Sequence, residues 1–145
     1  MFNLAAGNIK LCRSNFTLRS DITPQTIEEN LADVIFDRKK INTHFLYYMI
    51  WVDIEPHEYI YAEVSFFDNK LQHIRLLPQH QSASTAERQV HSMDLLTAQN
   101  LASSWYRKYF SDEKMTFSWG TVTYFNGADP IYSPPCILVK FKQQI

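Results

Sequence analysis

The run FLYYMIWV, Phe45–Val52, is eight residues long and contains no charge, no glycine and no proline. Rich in aromatic and β-branched side chains, it reads as a strand. Its alternating sets, Phe45, Tyr47, Met49, Trp51 and Leu46, Tyr48, Ile50, Val52, are both apolar. A strand of that kind needs cover on both faces, so the expectation is a central strand of a layered fold. At eight residues the run is far short of the ~20 that a membrane-spanning helix requires.

The residues after Val52 extend the sheet. EPHE contains Pro56, which cannot donate to a ladder, and reads as a turn. In YIYAEVSFF, Ile60, Ala62, Val64 and Phe66 alternate with Tyr59, Tyr61, Glu63, Ser65 and Phe67. DNK then makes a tight connection to LQHIRLLP, where Ile74 and Leu76 alternate with His73 and Arg75. Three strands on short links predict an antiparallel meander. Before them, FDRKKINT is polar and reads as a loop or an exposed edge.

Two helices are predicted. In DITPQTIEENL, Thr23 is a capping residue, Pro24 suits the first helical position, and Ile27 and Leu31 share a face. This predicts a short helix over Pro24–Leu31. A longer one, about Met93–Phe110, carries a stripe of Leu95, Ala98, Leu101, Ala102, Trp105 and Tyr109. Its Arg107 and Lys108 complement the helix dipole. Between the meander and this helix, QHQSASTAER reads as a polar loop.

The chain closes with TFSWGTVTYF and CILVKF, read as two strands joined by the loop Asn126–Pro135. Gly120 lies inside the first. An interior glycine weakens a strand by roughly 0.5–1 kcal/mol, so it needs a local reason. A bulge, or a ring lying over bare backbone, would supply one.

The 145 residues fit one domain, 1–145. The order of elements predicts an α+β fold: a five- or six-stranded, mostly antiparallel sheet with one long and one short helix packed on one face. Charge is nearly balanced, 14 Lys and Arg against 15 Asp and Glu, so no basic excess points to a nucleic-acid partner. The N-terminal segment lacks the pattern of a secretory signal. No membrane partner and a cytoplasmic location are expected. Strands apolar on both sides also suit a homodimer built through a sheet face.

Chemical signatures are few. Asp53, Glu55, His57 and Glu58 form the densest group of potential ligands, but Pro56 interrupts their register, and a solvated hairpin turn is the simpler reading. His44, His57, His73, His80 and His91 show no zinc spacing. Cys136 precedes Ile137 and Leu138 and reads as a buried packing residue. Gly7, Gly120 and Gly127 are isolated, so no glycine-rich phosphate loop exists. No catalytic residue, metal ligand or cofactor is expected, and the chain reads as a non-enzyme.

FFDNKLQHIRLLP and TFSWGTVTYF…ILVKF resemble segments of a family of small bacterial single-domain proteins. In these, an aromatic-ended strand turns into L-x-x-I-x-L, and a W-G-x-V strand leads through a loop into a closing strand. The resemblance implies a non-enzymatic protein-interaction module, an immunity protein that neutralises a bacterial toxin by binding it. Glu55, His57 and Glu58 in the acidic turn, with Tyr132 in the loop Asn126–Pro135, are the expected partner interface. The alternative is a binder of small apolar ligands with an aromatic pocket.

Overall fold

The computed structural model describes residues 2–3, 6–10, 16–55, 58–79, 94–110, 115–129 and 133–142; for residues 2, 36, 52–55, 58 and 59 only the backbone is described. The chain is α+β. Strands β1 (Phe2–Asn3), β2 (Asn8–Lys10) and β3 (Thr17–Leu18) form a small antiparallel sheet in that order. Helix α1 (Pro24–Leu31) follows, then β4 (Ile35–Lys40), β5 (Phe45–Glu55), β6 (Glu58–Phe67) and β7 (Lys70–Gln79). Helix α2 (Leu95–Tyr109), β8 (Met115–Phe117), β9 (Gly120–Phe125) and β10 (Cys136–Phe141) complete the chain.

The main sheet has seven strands in the order β4-β5-β6-β7-β10-β9-β8, every pair antiparallel. That exceeds the five or six expected, for two reasons. The polar stretch 35–40 is an edge strand, paired from Ile35↔Ile50 to Lys40↔Leu46, where its charges can face water. TFSWGTVTYF is two strands: Ser118 and Trp119 turn the chain, and Phe117 pairs with Gly120. β5 is consequently the second strand from an edge, and β7 is the central one.

Local signals account for the helix starts. Thr23 Oγ1 accepts from the Thr26 N–H and Thr26 Oγ1 from the Thr23 N–H, a reciprocal cap, with Pro24 in the first turn. Asp94 caps α2 by accepting from the Thr97 N–H at 2.8 Å. The β6–β7 link is a two-residue turn with Asp68 and Asn69 both at positive φ, 49° and 65°.

One face of the main sheet holds the larger core. Ile27 and Leu31 of α1 and Trp105 and Tyr106 of α2 share it with Ile50, Ile60, Val64, Ile74, Leu76 and Ile137. A smaller cluster, Trp51, Tyr61, Leu77 and Cys136 with Met49 against it, lies apart. Period-two alternation assigns it to the opposite face. Both faces of the run Phe45–Val52 thus contain buried residues, with Tyr48 and Ile50 in one cluster and Trp51 in the other.

Gly120 owes its identity to backbone proximity. A Cβ there would collide with the carbonyl of Lys140 on the neighbouring β10, since Gly120 pairs with Phe141. It opens β9 after the turn and does not interrupt a longer strand. The bare backbone beneath a ring is found at Gly7, whose missing Cβ leaves space for the Trp119 indole.

Candidate functional site

Strand pairing brings the two expected interface segments to one end of the sheet. The β5–β6 hairpin closes with Glu55↔Glu58, and the β9–β10 loop leaves the ladder at Phe125↔Cys136. Only β7 separates the two connections in strand order. Of the residues singled out, Glu55 and Glu58 are placed by backbone alone, while His57 and Tyr132 lie outside the described residues, as do His80 and His91.

The loop is anchored on both sides. The Ala128 and Asp129 N–H groups donate to the Ser133 carbonyl at 2.9 and 3.3 Å, and Asp129 forms an antiparallel bridge with Ser133. Gln99 of α2 donates to the Asn126 carbonyl at 3.1 Å. The Tyr124 hydroxyl lies 2.9 Å from Asn126 Oδ1 and 3.3 Å from the Gln99 carbonyl. Helix α2 therefore fixes where the loop starts.

Below this end sits the Trp51–Tyr61–Leu77–Cys136 cluster. Trp51 is 2% exposed and meets the Tyr61 ring edge-on, centroids 6.4 Å apart. Burial raises the Tyr61 pKa, with Glu63 and Asp37 adding to it. Burial also pushes the Cys136 thiol up to about 11, only partly offset by Arg75. At neutral pH Cys136 is a protonated packing group, not a nucleophile.

Sequence reasoning missed one side-chain pair. Ser65 Oγ and His73 Nε2 are 3.0 Å apart, across the directly paired positions of β6 and β7. Burial, together with the cations of Arg75 and Lys140, lowers the His73 pKa to about 4. A neutral imidazole beside a hydroxyl is the geometry of an activated nucleophile. Ser65 is only 1% exposed, however, so no substrate reaches its oxygen, and the contact satisfies buried polar groups instead. The signal was the tight DNK turn, which makes residues on either side of it partners. Its detection needed the register shift between Ser65 and Phe66.

The opposite end of the sheet carries the β4–β5 and β6–β7 tips. His44 Nδ1 and Asp68 Oδ1 approach to 2.6 Å, and the Asp68 N–H donates to the His44 carbonyl. The ring centroids of Phe45 and Phe67 lie 4.8 Å apart. Exposed apolar side chains stand at both ends of the sheet: Ile41 62% and Phe45 37% exposed here, Phe125 46% and Leu96 67% exposed at the other end.

Charge separates between these ends. Asp53, Glu55, Glu58 and Asp129 belong to the first end by register, joined by Asp94 at the start of α2 and Asp33 beside Val34, whose carbonyl accepts from Trp51. Beyond the Trp51–Tyr61–Leu77 row, no Lys or Arg stands there among the described residues. Lys39, Lys40, Lys70, Lys140 and Lys142 belong to the other end, where Asp21 and Asp68 are engaged by Arg19 and His44. The described residues of this near-neutral chain are thus polarised along the strands.

Among the described residues there is no group of three or more His, Cys, Asp or Glu arranged to hold a metal ion, and no helix long and apolar enough to cross a membrane. The cavity lined by Phe110, Trp119, Val122 and Val139 offers about 10 Å³. Comparison with protein-family models, curated proteins and solved structures finds no match.

Proposed function

We propose that the protein is a non-enzymatic interaction module that docks a partner protein through the acidic end of its main sheet, and that it serves as an immunity protein against a bacterial toxin. The observation behind this reading is that the β5–β6 turn and the β9–β10 loop leave the same end of the main sheet, next to a buried aromatic cluster. Docking of this kind needs a rigid base and a complementary rim, not reactive groups. The surplus of carboxylates at this end suits a partner with a basic surface. The cavity lined by Phe110, Trp119, Val122 and Val139 has room for about one water and is too small to be the pocket of the apolar-ligand alternative.

The test is titration against a purified toxin domain encoded beside this chain, measured by calorimetry. Glu55→Lys with Glu58→Lys should weaken association at least about ten-fold while stability changes by less than about 0.5 kcal/mol. Tyr132→Ala should weaken it further. Unchanged affinity in the charge-reversed variant overturns the docking surface. Absence of any association with the toxin domain overturns the immunity role.

A further inference from the structure

The basic end holds a second feature that the docking reading leaves unused. A cavity of about 200 Å³ opens there, lined by Ser20, Asp21, Ile22, Thr23, Asn69, Lys70, Leu71 and Lys142. We propose that it is a binding site for a small soluble phosphate ester, whose phosphate sits between the two lysines.

Its walls come from three distant parts of the chain, each independently held. Lys70 opens β7 opposite Phe67, directly after the turn at Asp68 and Asn69. The Lys142 N–H donates to the Trp119 carbonyl at 2.7 Å, fixing the exit of β10. The Ser20–Thr23 segment is pinned by the Ile22 N–H donating to the Arg19 carbonyl, and by the Ile22 side chain, 3% exposed. Ile22 and Leu71 form an apolar floor, while Ser20, Asn69, Lys70 and Lys142 bring donors to the rim. Neither lysine makes an ion pair among the described residues.

Two properties of the cavity select an anion. The one carboxylate in the wall, Asp21, is engaged by Arg19 at 3.2 Å, which leaves the two ammonium groups as the dominant charge. Lys39, Lys40 and Lys140 at the same end of the sheet add to the positive field. Although α1 begins beside the pocket, Thr23 and Thr26 satisfy one another there. Recognition therefore falls to the lysines and the Ser20 and Asn69 donors. The volume admits a phosphate and a short carbon skeleton lying over Ile22 and Leu71.

The experiment is an NMR titration of the full chain with inorganic phosphate and with glycerol phosphate, using sodium chloride at matched ionic strength as reference. Amide shifts should concentrate at Ser20–Thr23 and Asn69–Leu71, and glycerol phosphate should bind more tightly than inorganic phosphate. Lys70→Gln with Lys142→Gln should weaken binding about ten-fold or more, whereas Lys40→Gln, outside the pocket, should leave it within about two-fold. The proposal is overturned if chloride reproduces the shifts or if the double variant binds as before. Equal loss in Lys40→Gln overturns it too, since the effect would then belong to the general field. Thermal unfolding of each variant confirms that the fold is intact. The acidic end takes no part in this experiment, so its outcome is independent of the docking reading.

Discussion

Two aromatic residues of one strand, placed towards opposite ends of the main sheet, meet opposite surroundings. Trp51, towards the acidic end, is 2% exposed, while Phe45, at the basic end, is 37% exposed, although each end also carries an exposed apolar residue, Phe125 at one and Ile41 at the other. Trp51 and Phe45 lie on the same strand, β5, only a few residues apart. Strand propensity cannot separate them, because both suit a pleated surface equally well. What separates them is position: one lies in a row continued by Tyr61 and Leu77, and the other lies near the sheet's corner beside the edge strand β4.

That contrast carries a difference in stability. Trp51→Ala should cost about 3–5 kcal/mol, by removing a fully buried ring. Phe45→Ala should cost about 1 kcal/mol, since much of its surface is already wet. Chemical denaturation of the pair measures both, and equal losses would break the comparison.

Gly120 tests the basic end differently, through backbone rather than side chain. Gly120→Ala should lower stability by about 3 kcal/mol, because even a methyl group meets the Lys140 carbonyl. A variant with unchanged melting temperature would remove the explanation offered for this glycine.

Between the ends lies His73, whose pKa falls from 6.5 to about 4 through burial and then through Arg75 and Lys140. The unfolded chain takes up this proton first. Its contribution is therefore complete above about pH 6.5 and is lost as pH falls towards about 4. The loss should be about 1–2 kcal/mol, reduced from the full shift by solvent screening at a half-buried site. Denaturation midpoints across this range should slope in the parent chain, and His73→Gln should flatten that component. An unchanged slope would show that other groups set the acid response.

The smallest effect belongs to His44 and Asp68. Both are more than half exposed, at 58% and 54%, so their contact adds little despite its short distance. His44→Ala should change stability by less than about 0.5 kcal/mol. A larger loss would mean that the hairpin tips are as rigid as the opposite end.

Much of the fold was legible in the sequence wherever the signal was local. Thr23 followed by Pro24 marks the start of α1, and the expected span Pro24–Leu31 matches the helix to the residue. The β5–β6–β7 meander follows from a proline-containing turn and from Asp68-Asn69, and the alternation of Ile60, Ala62, Val64 and Phe66 identifies the core face of β6. The acidic turn at Glu55 and Glu58 is visible as composition.

Other features depend on residues distant in the chain. β10 inserts between β7 and β9, so the last strand lies beside the centre of the sheet, and no short-range pattern encodes that choice. The same insertion puts Lys140 against Gly120, and it leaves only β7 between the β5–β6 hairpin and the β9–β10 pair. It also takes Lys142 to the cavity that Lys70 lines, and sets Lys140 beside His73. TFSWGTVTYF illustrates the division. Its aromatic and β-branched residues determined that it would be extended, because those side chains favour a pleated backbone. That it folds back at Ser118 and Trp119, with Gly120 against a neighbouring carbonyl, was decided by tertiary structure, because only the arrival of β10 makes a side chain there impossible.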